Sequence, residues 1–212
     1  MRTIIKGSEP RSLTEYRAAP GANYEDYRDK NDLRFSLVTE QRGICCYCLS
    51  RIRIEPGKMR IEHWHSQSNY SAEQLNYSNL LGACTGNEGR PHRDQHCDTS
   101  KKDQDLCRNP ANPADRVDQV THFGGDGRVS SHDPTFDGEL NAVLNLNLPF
   151  LVNNRKAILD AFKGSLLKRG RLSRETLEKW LLDWNGESTN GELEPYCQVI
   201  VSICRQFSRS GP

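Results

Sequence analysis

Two cysteines offer the first recognisable chemistry in this 212-residue sequence. Cys45 and Cys48 form a Cys-x2-Cys pair, a spacing at which a tight turn can aim two thiolates at one ion. Downstream, Cys84 and Cys97 enclose a polar stretch that can loop out, so they are the best candidates for the other two ligands. Four thiolates would close a tetrahedral zinc site without an open position, which indicates a structural role.

Other residues compete for this zinc site. His92 and His96 are alternative fourth ligands, whereas Cys46 and Cys107 have no role in this scheme. A competing interpretation is that the cysteines are scattered buried thiols, because one Cys-x2-Cys pair is not rare among eight cysteines. The position of the pair just before a predicted hairpin favours the metal.

Glu62 and His63 offer a second chemistry. A carboxylate suits a hard divalent cation such as Mg²⁺ or Mn²⁺, and a neutral imidazole, whose pKa is ordinarily about 6.5, can take a proton from water. Adjacent strand residues point to opposite faces, so both groups can serve one phosphate only where the strand ends or bulges. The polar run after Trp64 permits such an end.

Three further positions complete this hypothesis. Asp98 directly follows Cys97, so an ion bound at the cysteine would also hold a carboxylate in place. Asn79 is a candidate partner that would fix the imidazole tautomer through its amide or backbone carbonyl. Lys101 and Arg60 are candidates for phosphate contacts. Each residue type alone is ordinary; their order among the cysteines carries the information.

Hydrophobic patterns indicate the elements that position these residues. Residues 11 to 42 have a helical pattern, with Gly43 as a plausible stop. Two short strands, 51–54 and 59–64, are predicted on either side of 55–58, where Pro-Gly is a strong turn signal. The sequence therefore predicts a hairpin that ends at the Glu-His pair.

The remaining chain has less distinctive features. Residues 65–100 are polar and predict a long loop, which is usually functional or held by metal. A small hairpin is predicted around 124–127, and the last third is helical, with Ser173 as a plausible N-cap. Cys197 and Cys204 are most simply buried small hydrophobic residues on the final helix.

Composition narrows the class of protein. Hydrophobic residues make up 35% of the chain and the mean hydropathy is −0.78, so a modest core supplemented by metal or a partner surface is expected. A net charge of +1 means that any nucleic-acid contact must come from local patches. No segment approaches the ~18 apolar residues of a membrane span, and no signal peptide is evident, so we expect a cytoplasmic protein without membrane contact.

The motifs together resemble a known superfamily. Cys-x2-Cys, Glu-His-Trp, Asn-Leu-Leu-x2-Cys and His-Cys-Asp-x2-Lys, in that order, resemble the zinc-stapled ββα-metal form of the HNH endonucleases. More narrowly, the sequence is similar to the PtuB-like HNH nucleases of Septu-type anti-phage systems, including retron-associated ones. An N-terminal Arg-Ser-Leu-x2-Tyr and the triplet 145–147, Asn-Leu-Asn, also fit that family, so the likeness covers most of the chain.

The resemblance implies a fold and an activity. It implies an α+β fold with a zinc-stapled ββα-metal (HNH) core, 44–108, embedded between an N-terminal helical segment, 1–43, and a C-terminal helical scaffold, 109–212, packed on the core. It also implies a metal-dependent endonuclease that hydrolyses phosphodiester bonds of DNA. Zinc would occupy the structural site, and Mg²⁺ or Mn²⁺ the catalytic one.

The resemblance also implies roles for single residues. His63 corresponds to the general base, Glu62 and Asp98 to the catalytic metal ligands, Asn79 to the middle Asn, and the four cysteines to the zinc ligands. Two departures stand out: the last position is more often His or Asn than Asp, and the Pro common after the Glu-His pair is replaced by a stretch that begins with His65. An exchange of roles between His63 and His65 therefore stays open.

The resemblance implies partners as well. The family partner is an ABC- or SMC-type ATPase, and retron-associated members also involve a reverse transcriptase with its RNA–DNA product. DNA is the first substrate to consider. Two alternatives stay open: the same chemistry on RNA or tRNA, and a non-catalytic zinc module that binds nucleic acid or only tethers the ATPase.

Overall fold

A computed structural model describes residues 1–169, 173–188 and 191–210, and over these ranges the fold is mixed α+β, mostly helical, with two small two-stranded sheets. The helices are α1 (Arg11–Arg17), α2 (Lys30–Glu40), α3 (Cys97–Lys101), α4 (Val117–Val120), α5 (Pro134–Gly138), α6 (Pro149–Arg169), α7 (Arg174–Asn185) and α8 (Cys197–Ser210). The strands are β1 (Arg60–His63), β2 (Leu80–Ala83), β3 (Thr121–Phe123) and β4 (Val129–Ser131).

The N-terminal helical pattern forms two helices rather than one. The prediction for 11–42 is confirmed at both ends and wrong between them, because the chain leaves the helix after Arg17 and re-enters it at Lys30. Pro20 lacks an amide hydrogen and Gly21 has φ +75°, so neither residue favours helix there. The predicted stop is confirmed: Gly43 has φ +76° and its N–H donates to the Val38 carbonyl at 2.9 Å.

The sheet that carries Glu62 and His63 has an unexpected partner strand. β1 pairs antiparallel with β2, with His63 opposite Leu80. The predicted pairing of 59–64 with 51–54 is wrong, because 51–54 contributes only one isolated bridge, between Ile44 and Arg51. β2 lies within the stretch predicted to be a loop, and all of its residues are buried. It therefore lacks the alternation of polar and apolar residues that reveals a half-exposed strand.

Packing attaches the N-terminal helices to this sheet. Leu13 of α1 and Leu33 and Leu37 of α2 share a small buried core with Tyr77 and Leu80. Because Leu80 is the first residue of β2, this core sets α2 alongside the strands that carry the candidate site. The register of the site therefore depends on helix packing as well as on strand pairing.

The larger core includes residues from all parts of the chain. Ile4, Ile44 and Leu106 belong to one buried cluster with Leu159 and Ile200 of the C-terminal helices. The central segment is thus packed directly on the helical C-terminal part rather than connected to it by a linker. Among the helices that the structure describes, none combines the length and apolarity needed to cross a bilayer.

Several local predictions for the C-terminal part are confirmed. β3 and β4 form the small hairpin, closed by the N–H of Gly124 donating to the Arg128 carbonyl at 2.8 Å. Ser173 caps α7, because its hydroxyl accepts the Thr176 N–H at 3.2 Å. Cys197 and Cys204 of α8 are fully buried, as expected of small hydrophobic residues.

The Gln41 side chain hydrogen-bonds the main chain at the edge of β2 that does not pair with β1. Its side-chain amide donates to the carbonyls of Gly82 at 2.7 Å and Ile44 at 2.9 Å, and its oxygen accepts the Gly82 N–H at 2.6 Å. Gln41 is itself buried, so no water can replace these bonds without entering the core. The end of α2, the cysteine turn and β2 are therefore tied together by one side chain.

Replacing Gln41 by Met, which preserves volume but not hydrogen bonding, is expected to lower the free energy of unfolding by about 1–3 kcal/mol, because the Gly82 N–H is left buried without an acceptor. Urea denaturation measures this loss. Thr39→Ala on the exposed side of the same helix is the control and should have little effect. Equal stability of both variants would contradict the bridging role of Gln41.

Candidate functional site

Four thiols from distant parts of the sequence meet in one buried cluster. The sulfur atoms of Cys45, Cys48, Cys84 and Cys97 all lie within 4.8 Å of one another. The Cys45–Cys97 and Cys48–Cys84 sulfur distances are 3.9 Å and 3.6 Å. Tetrahedral zinc with bonds of about 2.3 Å requires sulfur–sulfur edges of roughly 3.8 Å. The donor set and its spacing therefore fit a structural zinc ion.

Backbone conformation brings the thiols together. In the turn that carries Cys45 and Cys48, the Cys45 N–H donates to the Ser50 carbonyl at 2.8 Å and Leu49 has φ +67°. Cys84 follows the last residue of β2 directly. Cys97 opens α3, and its N–H donates to the Leu144 carbonyl at 2.9 Å. The cluster thus joins a turn, a strand end and a helix start.

Polar groups around the sulfurs suit thiolates. The Cys84 N–H donates to the Cys45 sulfur at 3.3 Å, and the Ser50 hydroxyl lies 3.0 Å from the Cys48 sulfur. His96 places Nδ1 3.1 Å from the Cys97 sulfur, so this imidazole is a hydrogen-bonding neighbour of the cluster. Such outer contacts orient ligands and stabilise negative sulfur.

The remaining candidates lie outside the four-sulfur set. His92 is exposed on a short 3-10 turn, Cys46 is buried beside Cys45 but outside the four-sulfur set, and Cys107 is exposed. Among the residues that the structure describes, the four cysteines are the only group of three or more Cys, His, Asp or Glu side chains whose ligand atoms come together. The geometry thus selects one of the ligand sets that the sequence left open.

Glu62 is a buried carboxylate with two strong partners. The Tyr47 hydroxyl donates to it at 2.6 Å, and the Lys101 ammonium lies 2.9 Å from the same oxygen. Burial, followed by the neighbouring Asp98 carboxylate, raises the pKa of Glu62 well above its usual range, while Lys101 and Tyr47 oppose the rise. Each of these two carboxyl groups makes ionisation of the other less favourable, so a nearby positive charge stabilises the ionised pair.

Asp98 and Arg60 form the outer part of this cluster. Asp98 lies in the first turn of α3, and the Arg60 side chain on β1 donates to it at 2.7 Å. Arg60 also bonds the Glu88 carboxylate, so its guanidinium has two acidic partners. This pairing connects β1 to α3 on the side of the sheet where Glu62 lies.

Lys101 is fully buried, with a side-chain exposure of 0%. Besides Glu62, its ammonium donates to the His63 carbonyl at 3.1 Å. A phosphate contact by Lys101, as the sequence suggested, requires an accessible ammonium, and the observed arrangement provides none. Its observed role is to connect α3 with the end of β1.

His63 has its imidazole held in one orientation. Nε2 lies 3.0 Å from the Gln74 carbonyl, and the Tyr24 ring packs edge-on at a centroid distance of 4.4 Å. A carbonyl can only accept, so Nε2 carries the hydrogen and Nδ1 keeps the lone pair. Burial lowers the pKa of His63 to about 4, against weaker opposing effects of Gln74 and Asp98. The imidazole is therefore neutral at physiological pH.

His65 and Asn79 occupy a neighbouring loop. The His65 ring stacks on Tyr70 at 4.2 Å, and its Nδ1 lies 2.8 Å from Glu73. Asn79 bonds the main chain of His65 on both sides, accepting its N–H at 2.8 Å and donating to its carbonyl at 2.9 Å. The Asn79 amide thus fixes the backbone after β1, whereas the Gln74 carbonyl fixes the His63 imidazole.

Sequence reasoning missed three groups that shape the site: Tyr24, Tyr47 and the Gln74 carbonyl. Tyr47 stands inside the Cys-x2-Cys motif, and this position is its signal in the sequence. Any residue can supply a backbone carbonyl, so Gln74 left no signal in the sequence.

Comparison with protein-family models and with curated proteins gives no match to this chain.

The thiol cluster predicts about one tightly bound zinc per chain, measurable by mass spectrometry of the purified protein. Cys97→Ala should lose this zinc and unfold at lower urea concentration, because the start of α3 loses its attachment. Cys107→Ala, at an exposed cysteine outside the cluster, is the matched control. Retention of zinc by Cys97→Ala would contradict the ligand assignment.

The buried imidazole predicts a pH dependence. The folded pKa of His63, about 4, lies below the ordinary value of about 6.5, so the unfolded chain takes up this proton first. The contribution of the neutral His63 imidazole to folding stability is complete above about pH 6.5 and is lost as the pH falls to about 4. Imidazole nitrogen chemical shifts should show His63 neutral and Nε2-protonated at about pH 5.5, with His63→Gln used to assign the signal. Titration near 6.5 would contradict this environment.

Proposed function

We propose that this chain is a metal-dependent endonuclease of the HNH type that hydrolyses phosphodiester bonds of nucleic acid, with DNA as the first substrate. One observation carries the proposal. Glu62 and His63 at the end of β1 adjoin Asp98 of α3, immediately beside the four-thiol cluster, in the chain order β1, β2, α3. This order and these residue types support a zinc-stapled ββα-metal core.

The proposed zinc has a positioning role. Cys97 and Asp98 are consecutive, so an ion that binds the thiol also fixes the first turn of α3. The carboxylate of Asp98 is thereby held toward Glu62 on β1. This arrangement supports an assignment in which the zinc has no catalytic role but sets the geometry of residues that do.

The proposed catalytic ligands are Glu62 and Asp98. Two carboxylates suit Mg²⁺ or Mn²⁺, which retain several waters and need few protein ligands. The raised pKa of Glu62 supports the fit, because a divalent cation would relieve the repulsion between the two carboxyl groups. When bound, such an ion would stabilise charge on the phosphate and on the leaving oxygen.

The proposed general base is His63. Its neutral imidazole presents Nδ1 as the proton acceptor, while the Gln74 carbonyl holds Nε2–H. Nδ1 takes a proton from a water whose oxygen attacks phosphorus as the bond to the leaving oxygen breaks. The effect of Asp98 on the pKa of His63 supports this choice over His65, whose Nδ1 lies beside Glu73.

A second candidate is a non-catalytic zinc module, and one observation favours it. Arg60 lies 2.7 Å from Asp98, and Lys101 lies 2.9 Å from Glu62. These pairs already neutralise both carboxylates without a divalent ion. In this alternative the ion pairs are structural, and the chain binds nucleic acid or tethers a partner without cleaving anything.

The proposed partners rest on the motif resemblance. An ABC- or SMC-type ATPase is the proposed docking partner within an anti-phage complex, accompanied in retron-associated systems by a reverse transcriptase and its RNA–DNA product. The low hydrophobic content, 35%, is compatible with a chain that completes its buried surface against a partner. Affinity purification of the chain from its own cells, with mass spectrometry to detect an ATPase of this type, tests the association.

Cleavage assays of the full chain, alone and with its ATPase partner, on DNA and RNA separate the two candidates. We expect cleavage with Mg²⁺ or Mn²⁺ and none with EDTA. His63→Ala should reduce the rate at least about 100-fold, since it removes the general base. His65→Ala should retain most of the activity.

Zinc content and circular dichroism of each variant establish that it is folded, and His92→Ala, at an exposed histidine, is the matched control. Full activity of His63→Ala would refute the assigned base. Nucleic-acid binding without cleavage under every metal condition would favour the non-catalytic zinc module.

A further inference from the structure

We propose that Lys30 and Arg34 of α2 form the phosphate-binding surface of this site and hold the nucleic-acid backbone beside His63. The inference deepens the proposed nuclease function and rests on it. It replaces the phosphate contacts that the sequence assigned to Lys101 and Arg60, and it gives α2 a direct role in substrate binding.

The two basic residues expected from sequence are already engaged. Lys101 is fully buried, and its ammonium bonds Glu62 and the His63 carbonyl. Arg60 bonds Asp98 and Glu88, so its guanidinium donors face carboxylates. A phosphate that approached either residue would compete with an existing ion pair. The substrate charge therefore needs other cations near the site.

Lys30 is placed to supply one of these charges. Its ammonium lies 4.5 Å from the centroid of the Tyr24 ring, and that ring packs edge-on against the His63 imidazole at 4.4 Å. The ammonium and the proposed base thus contact the same aromatic ring. Lys30 is partly exposed, and a cation over a ring face keeps donors free for a ligand.

Arg34 lies one helical turn beyond Lys30, so both side chains share one face of α2. Its guanidinium donates to the Asn31 side chain at 3.0 Å and is partly exposed. Although burial raises the pKa of Tyr24 to about 12, Arg34 acts against that rise, which is consistent with its guanidinium lying on the Tyr24 side of the helix. Among the described residues, no ion pair includes Lys30 or Arg34.

Acidic residues of this region act on the two buried tyrosines Tyr24 and Tyr27. Burial, followed by Asp29 and Asp32 near the start of α2, raises the pKa of Tyr27. The Tyr27 hydroxyl lies 3.0 Å from the Ser12 hydroxyl. Asp98 and the exposed Glu25 both raise the pKa of Tyr24. Because no carboxylate of the described residues is bonded to Lys30 or Arg34, the face of α2 next to His63 presents two cations to a ligand. Cations of this kind bind phosphates without reading base sequence.

Binding can be measured separately from cleavage in a His63→Ala background. Fluorescence anisotropy with a labelled DNA duplex and with a labelled RNA gives the dissociation constant over a range of salt concentrations. The added pair Lys30→Ala and Arg34→Ala should weaken duplex binding about tenfold at roughly 0.1 M salt. The slope of log affinity against log salt should become less negative by about 1.8, which corresponds to two lost phosphate contacts.

A pair of equal charge change provides the control. Arg174→Ala with Lys179→Ala removes two exposed basic residues from α7 and should leave affinity and slope unchanged. Zinc content establishes that each variant keeps the thiol cluster. Equal affinity and slope of the Lys30 and Arg34 variant and its background would overturn the binding surface while leaving the nuclease proposal intact. Absence of any DNA or RNA binding by the His63→Ala protein, together with absence of cleavage by the natural sequence, would overturn both proposals.

Discussion

The convergence of four thiols is the constraint on which the central part of this protein depends. A turn, the end of β2 and the start of α3 converge on these sulfur atoms, and the strands beside them are four residues long. Two-stranded ribbons of this length have little stability of their own. An ion bound by the four thiols would therefore organise these segments more effectively than strand pairing, and the position of Asp98 follows from that of Cys97.

A second level of organisation uses buried polar groups rather than metal. Gln41 completes the edge of β2, Asn79 clamps the backbone after β1, and Lys101 joins α3 to the end of β1. Each side chain bonds main-chain atoms that no neighbouring strand satisfies. Because such groups are costly to leave unpaired, they specify the arrangement of short segments that apolar packing alone leaves loosely defined.

The sequence revealed the parts that have strong local signals. The spacing of the cysteines predicted the four thiols that the structure brings together. The C-terminal helices and the hairpin at Gly124, predicted from apolar periodicity and turn residues, are also present. β2 was missed because a fully buried strand has no alternation. The burial of Lys101 was also unforeseen, because lysine is almost never fully buried unless it is paired. Its pairing with Glu62 depends on a tertiary contact that spacing does not encode. The roles of the polar residues in catalysis stay predictions.

The buried ammonium of Lys101 has a consequence for ion binding. The protein carries its own counter-ion for Glu62, so this carboxylate keeps a partner at 2.9 Å before any divalent ion arrives. Metal binding at the carboxylates would then be an exchange of one cation for another rather than the filling of a gap. Such an exchange would lower the net affinity for the metal, and it would make occupancy sensitive to any movement of α3 that withdraws the lysine. A partner that shifts this short helix would thereby control the ion without touching it.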